Sequence, residues 1–289
     1  MEYEGVVYRP PSEANSLILQ ATIGCARNTC RFCNMYKGRR FRAKAAGQII
    51  SELQQMRALC RFPVRRIFLA DGDALILKTD TLRSVLLAIR RIFPESERVS
   101  TYGAPQDILG KTPDELKLLR SLGLTLVYTG IESGSDAVLK AIDKRVTAAE
   151  MIESGLRLKE CGIQQSVTFI SGLGGAPLMK EHAIESARVL SAIKPAYASC
   201  LTLLVEPEAP LYGDVAAGRF QLLPPEKIVD EMELFLSHVD SEGTVFRSNH
   251  ASNYIALAGN FNRDIPRMLA QLETAKKRCA FKPEDWRAL

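Results

Sequence analysis

The 289-residue chain has no uncharged apolar run approaching the roughly 20 residues that a membrane-spanning helix requires. Its N-terminus, Met1-Glu2-Tyr3-Glu4, is acidic and offers no basic segment ahead of an apolar stretch. No signal peptide is expected, and a cytoplasmic address follows by elimination. With 19 glycines and 14 prolines, the chain is too lean in both for a collagen-like or low-complexity polypeptide. Lys and Arg exceed Asp and Glu by only five, 38 against 33, and are not gathered into long runs. That balance permits an anionic ligand but does not argue for nucleic acid. A disulfide framework is not expected: seven cysteines is an odd number, nothing marks secretion, and a chain this long can bury a sizeable core. What is left, 46% hydrophobic and 25% charged, fits one large globular domain or one domain with a short appendage.

Along the chain, apolar runs of strand length alternate with segments of helical periodicity. Strands are expected at Ser16–Ile23, Arg66–Ala70, Arg98–Tyr102, Leu124–Thr129, Gln164–Ile170 and Tyr197–Val205. Helices are expected at Ala45–Cys60, Thr79–Ile92, Thr112–Leu122, Asp136–Ile142, Ala148–Cys161, Glu181–Ile193 and Pro224–His238. Thr79 or Asp80 can cap the second helix, Pro113 fits a first helical position, and Gly162 fits a helix stop. About six βα units result, which means a parallel sheet covered by helices, in a doubly wound or barrel arrangement. Six regular units without a dinucleotide fingerprint favour a barrel or partial barrel. From about Asp240 the alternation breaks. The tail holds one amphipathic helix, Arg263–Cys279, and is expected to cap the barrel.

The polar loops have a common position. A cysteine cluster, Asp71-Gly72-Asp73, Gly130-Ile131-Glu132-Ser133-Gly134 and Ser171-Gly172-Leu173-Gly174-Gly175 each follow an expected strand directly. Ligands of parallel α/β proteins bind at the C-terminal ends of the strands, so these loops are expected to converge on one mouth. Ser171–Gly175 lacks the GxGxxG register and is not read as a nicotinamide-nucleotide site.

Cys25, Cys30 and Cys33 put three thiols on one short loop, Cys25-x4-Cys30-x2-Cys33. Iron–sulfur cubes normally take four thiolates; three would leave one iron open, as a catalytic metal needs. The alternatives are a structural zinc site, completed in space by a residue such as Cys60, and reduced thiols without metal. None of the three histidines lies near the loop, and His182 and His238, in expected helices, are given no catalytic role. The remaining cysteines, Cys60, Cys161, Cys200 and Cys279, sit in apolar or helical stretches and read as inert thiols.

The stretch from Tyr8 to Arg42, YRPPSEANSLILQATIGCARNTCRFCNMYKGRRFR, resembles the cluster region of the radical S-adenosylmethionine (SAM) superfamily. Within it, the likeness is to small members related to Elp3-like and oxygen-independent coproporphyrinogen oxidase-like proteins. The aromatic expected between the second and third cysteines is Phe32. The usual spacing is three residues and then two, whereas this chain has four and then two, which alters the geometry of the loop more than the identity of its ligands. The likeness runs on through DGDAL, GIESGSDAVLKAIDKRVT and SGLGG to FRSNHASNY.

This resemblance implies an α/β fold: a partial (β/α)6 TIM-like barrel over residues 1–240, with the cluster loop at 24–42 and a short helical C-terminal extension at 241–289. It implies a [4Fe–4S] cluster on Cys25, Cys30 and Cys33 and SAM on the open iron. Cleavage of SAM would give a 5′-deoxyadenosyl radical that takes hydrogen from a substrate. Asp71, Gly72 and Asp73 match the motif that receives the SAM amino group, although Asp-Gly is also a common turn pair. Glu132 matches a ribose-binding residue, and otherwise reads as an acid favoured at a helix N-terminus. Lys144 stands where relatives direct a base at the SAM carboxylate, unless it is a solvated lysine. Ser166 and Thr168 share one strand face and would touch the nucleoside or fill the barrel; Tyr36 would contact SAM or pack. The basic segment Lys37, Arg39, Arg40, Arg42, Lys44 would offset cofactor charge, meet an anionic substrate, or be solvated. Asn249, His250 and Asn253 would lid the barrel and read substrate, or cap a loop. The expected partners are an unidentified substrate, a small molecule before a nucleic acid, and a reductant such as flavodoxin or ferredoxin. The competing function is a zinc-stabilised, non-catalytic binding protein on a barrel scaffold.

Overall fold

A computed structural model describes residues 3–288. In chain order the elements are β1 (Leu17–Gln20), β2 (Thr22–Ile23), β3 (Arg42–Ala43), α1 (Ala46–Leu59), β4 (Arg66–Ala70), α2 (Thr79–Ile92), β5 (Arg98–Tyr102), α3 (Pro105–Leu109), α4 (Pro113–Ser121) and β6 (Leu124–Glu132). They continue with α5 (Asp136–Ala141), α6 (Ala148–Glu160), β7 (Gln164–Ser171), α7 (Gly175–Ile193), β8 (Tyr197–Thr202), α8 (Tyr212–Ala216), α9 (Pro225–His238), β9 (Val245–Ser248), β10 (Leu257–Asn260) and α10 (Ile265–Arg278). Eight strands form a sheet in the order β1-β4-β5-β6-β7-β8-β9-β10, largely parallel, with β10 antiparallel to β9. The α/β class with a parallel sheet is the one expected.

The chain divides into two compact units. The first is built from the residues up to Asn28, Met35–Thr129 and Leu156–Gln165; the second from Thr29–Asn34, Gly130–Gly155 and Ser166 onward. In the first, α1 buries Ile49, Leu53 and Met56, the residues whose helical spacing marked it in the sequence. Leu82, Val85, Leu86, Ala88 and Ile89 of α2 are buried as well. Each large apolar side chain so buried contributes roughly 1.5–3 kcal/mol, more than the differences in helix propensity among ordinary residues. No side chain caps α2: Lys78 holds the N-cap position, Thr79 is the first helical residue, and its hydroxyl donates to Glu115 at 2.7 Å. Pro113 does open α4, behind a capping box formed by Thr112 and Glu115.

The opposite strand face of the first unit holds Ile18, Phe68, Ala70, Leu126 and Tyr128. Phe68, Tyr102 and Tyr128 meet edge to face, with centroids 5.1–6.1 Å apart. Glu13 is fully buried against this face, accepting from Arg98 at 2.7 Å, Ser100 at 3.0 Å and Tyr128 at 2.6 Å. Residues before Ser16 carry no periodic signal, yet they pack through such polar anchors. Tyr3 donates to the Ile18 carbonyl, and the Glu4 N–H donates to Gln20.

In the second unit the larger core gathers α5, α6, α7, α9 and α10 with one face of β7, β8 and β9, beside a smaller cluster of Leu223, Ile228 and Tyr254. Phe169, Phe235, Phe246 and Phe261 stack through the larger core at 4.4–6.5 Å. The tail contains the expected helix as α10 and, beyond that expectation, strands β9 and β10. Each is only four residues long and no helix separates them, so the βα rhythm gave no sign of either. Among the described residues no helix is long and apolar enough to cross a membrane.

Candidate functional site

In the first unit the loop after β4 meets the start of the cysteine loop. Asp71 accepts the Gly24 N–H at 3.1 Å and the Tyr36 hydroxyl at 3.1 Å, with Gln20 Nε2 at 3.4 Å. A Cβ on Gly72 would stand 2.7 Å from the Tyr36 ring and 2.9 Å from Cys25 Cβ, so glycine lets this loop close on Cys25. Tyr36 is buried, edge-on to Tyr8 at 5.4 Å, and burial beside Asp71 pushes its phenol far above the ordinary range. Asp71 is thus committed to holding the loop, and its own pKa is raised, chiefly by burial.

Asp73 differs from Asp71. It is buried beside Asp107, with one oxygen accepting the Ala104 N–H at 3.3 Å and Oδ2 reached by no donor. Burial, and then the adjacent carboxylate, push its pKa well up. Asp107 is held by Arg27 through two bonds, at 2.8 and 3.2 Å. A buried acceptor without a donor is what a cationic ligand group would satisfy.

In the second unit the other part of the cysteine loop is stitched to the segment after α5. The Arg31 N–H donates to Ile142 and the Thr29 hydroxyl to Asp143, each at 2.9 Å. Leu211 donates to the Arg31 carbonyl, and the Arg31 guanidinium pairs with Asp214. Phe32 packs against the core of this unit. Cys25, Cys30 and Cys33 are all half-buried, the first in one unit and the other two in the other. Among the described residues no three His, Cys, Asp or Glu side chains are grouped to hold a single metal ion. A cube places each thiolate on a different iron, so an all-thiol loop has the donor chemistry for one.

Glu132, at the end of β6, adopts a left-handed φ of 57° and receives Lys144 Nζ at 2.8 Å. Its side chain folds back over Gly130, where a Cβ would lie 2.0 Å from Glu132 Oε1. Glu132 and Lys144 therefore hold one another. Ser166 and Thr168 lie half-buried on one face of β7, and Thr168 shares a hydrogen bond with Ser199 at 2.8 Å.

Several candidate residues are bound internally. Lys44 is buried on Glu52 at 2.7 Å, Lys37 donates to the Asn28 carbonyl, and Arg39 donates to Val6. Asn253 is buried, bracing Thr202, the Cys200 carbonyl and Ser248, whereas Asn249 is exposed. α7 begins at Gly175, behind Gly174 at the N-cap and six residues earlier than periodicity placed it; Gly175 takes a left-handed φ of 56°, which glycine adopts without strain.

Glu231 escaped the sequence reading, and His182, given no catalytic role there, is a buried structural group. Glu231 of α9 accepts the Ser171 hydroxyl at 2.6 Å and the Gly172 N–H at 2.7 Å, fixing the start of the Ser171–Gly175 loop. His182 of α7 bonds Ser133 at 2.7 Å and the Ile170 carbonyl at 3.0 Å, and the Ser133 hydroxyl in turn accepts the Ser135 N–H. The signal for Glu231 was its register: it falls on the apolar stripe of Ile228, Met232 and Phe235, where an acid needs a partner. Glu231→Ala leaves two buried donors unmet and is expected to lower stability by about 2–4 kcal/mol, read by urea denaturation with unchanged m-value.

The sequence profile of the Radical SAM superfamily matches residues 19–187, well over half of the chain. The heme chaperone HemW of Bacillus subtilis is 25% identical over 182 residues, covering 62% of this chain and 47% of that protein. Among solved structures, coproporphyrinogen III oxidase (HemN) from Escherichia coli superposes with a TM-score of 0.58 at 18% identity, over 77% of this chain and 52% of that one. The radical SAM methyltransferase TsrM from Kitasatospora setae, solved with cobalamin and a [4Fe–4S] cluster, gives 0.57 at 17% identity, over 70% and 39%. The chain thus spans about half, or less, of the length of these relatives, and the structural likenesses bear on fold. The matched region contains all three loop cysteines, the Asp71–Asp73 turn, Glu132 and Lys144, and with it the chain belongs to the radical SAM superfamily.

Proposed function

We propose that this chain is a radical SAM enzyme acting on a small molecule and fed electrons by a flavodoxin- or ferredoxin-type reductant. Cys25, Cys30 and Cys33 would hold a [4Fe–4S] cluster whose fourth iron takes the amino and carboxylate groups of SAM. When bound, the pair supplies reductive cleavage of SAM to a 5′-deoxyadenosyl radical that abstracts hydrogen from the substrate. The observation that carries this reading is the pairing of a superfamily match with a buried, donorless Asp73 Oδ2 one residue from a glycine that lies against Cys25.

The side chains divide the binding work by what each has to spare. Asp73 offers the ammonium of SAM an acceptor, and a charge-assisted bond there would relieve the cost of its burial. Asp71 and Gly72 hold the turn against the Cys25 end of the loop, with Tyr36 packed over it. Glu132 would take the ribose hydroxyls and Lys144 the carboxylate; the bond between them sets both side chains in advance. Ser166 and Thr168 would border the nucleoside, and Phe32 would shield the loop.

Anaerobic reconstitution with iron and sulfide, followed by dithionite and SAM, tests the proposal. The expected result is a low-temperature EPR signal of a reduced cluster, perturbed by SAM, with 5′-deoxyadenosine found by chromatography. Tightly bound stoichiometric zinc, with no cluster and no deoxyadenosine, would overturn it in favour of a binding protein.

A further inference from the structure

Strands β7, β8 and β9 bury one face against helices and leave the other partly open. Val167, Phe169, Ala198, Cys200 and Phe246 enter the core, whereas Ser166, Thr168, Ile170, Ser199 and Leu201 are half-buried and Arg247 is exposed. Parallel sheets are normally covered on both faces by apolar packing, so a polar, accessible face on interior strands needs a reason. The register sharpens the point. Thr168 pairs with Ser199, and Ser199 pairs with Arg247, so the three side chains stand in one row across adjacent strands. Ile170 and Leu201 form the next row towards the C-terminal strand ends.

Arg247 is tied to the protein only through backbone carbonyls among the described residues. Its guanidinium reaches the backbone carbonyls of Phe246 at 2.7 Å and Gly259 at 3.4 Å, and among the described residues no carboxylate is bonded to it. Protection of a sheet edge does not account for it either, because β9 is paired on both sides, with β8 and β10. A guanidinium offers five donors in a planar fork, and two backbone carbonyls leave donors available for an incoming oxyanion.

We propose that Arg247 is an anion anchor on this face: with the Ser199 hydroxyl it binds a carboxylate or phosphate group of the substrate, whose apolar part lies on Ile170 and Leu201. Its catalytic meaning rests on the radical SAM reading. If Thr168 borders the nucleoside, the anchor stands two strand spacings away, about 10 Å. A substrate held there reaches back towards the nucleoside, as direct hydrogen transfer requires. The Ser199 hydroxyl shares a hydrogen bond with Thr168 at 2.8 Å and donates to the Val167 carbonyl at 3.3 Å; with Thr168 donating to it, its own proton would turn from that long bond to the anion.

Calorimetric titration of the full-length protein, without SAM, with succinate and glycerol 3-phosphate as probes tests the anchor independently of the cluster; succinamide and glycerol are the neutral controls. One anionic probe is expected to bind and its neutral counterpart not to bind, and which probe it is separates carboxylate from phosphate. Loss of one charge-assisted contact in Arg247→Gln should weaken binding about tenfold or more, and Ser199→Ala by a smaller factor. Arg247→Lys, which keeps the charge but not the fork, should fall between wild type and Arg247→Gln. Absence of binding by both anions, equal binding by the neutral controls, or undiminished binding in Arg247→Gln would overturn the proposal. Deoxyadenosine formation by the wild-type protein is measured separately, so failure of the radical SAM reading is distinguishable from failure of the anchor.

Discussion

Replacing Cys30 by alanine is expected to abolish both cluster assembly and SAM cleavage: iron and sulfide should fall to background, and 5′-deoxyadenosine with them. With only three thiols on the loop, the loss of one leaves two, and the protein offers no nearby histidine in sequence to substitute. Cys161→Ala is the matching control and should keep its full iron content. Burial pushes the Cys161 thiol up, and its Sγ donates to the Pro113 carbonyl at 3.5 Å, so it stays protonated and engaged. Cys200 is raised further by complete burial. Full activity in Cys30→Ala, or loss of iron in Cys161→Ala, would show that the ligands are other thiols.

The largest effect on stability is expected at Gly134. A Cβ there would lie 2.1 Å from the Glu185 carbonyl oxygen, 2.3 Å from its carbon and 2.5 Å from the Ser186 nitrogen. These are backbone atoms of α7, which cannot swing aside as a side chain can, and α7 is locked by its buried His182, Ala183, Ala187 and Leu190. The Gly134 N–H also donates to Ser186 at 2.9 Å, so the loop and helix cannot part without breaking that bond. Gly134→Ala should cost about 3 kcal/mol or more, lowering Tm by several degrees, since overpacking against backbone exceeds the usual side-chain case. Gly47→Ala makes the opposite control. That exposed glycine of α1 meets nothing within 4 Å, and the change should stabilise by about 0.5–1 kcal/mol. A Gly134→Ala protein as stable as the parent would mean that α7 does not lie where it is placed.

Both expectations depend on features of different reach. The three-cysteine loop is visible in the sequence because its spacing is local, whereas the approach of Gly134 to α7 joins residues some fifty positions apart. Elements marked by local periodicity came out with the bounds expected of them: Arg66–Ala70, Thr79–Ile92 and Arg98–Tyr102 are the same in sequence and structure. Strand β6 runs three residues further than expected, through Glu132, because pairing can continue where composition already suggests a loop.

The sequence by itself determined the alternation of strands and helices, the placing of polar loops after strands, and the resemblance that fixed the superfamily. Those features follow from side-chain periodicity, turn chemistry and motif spacing, all of which act over a few residues. Only the tertiary structure decided how the polar groups divide their duties. Asp71 and Asp73 are equivalent in the motif, yet one is spent on Gly24 and Tyr36 while the other keeps a buried oxygen without a donor. Glu231 and Asn253 hold loops and strand ends, whereas Arg247 stands exposed on its strand face. The physical reason is that a polar group's role is set by which donors and acceptors share its burial, and those partners arrive from distant segments only when the chain has folded.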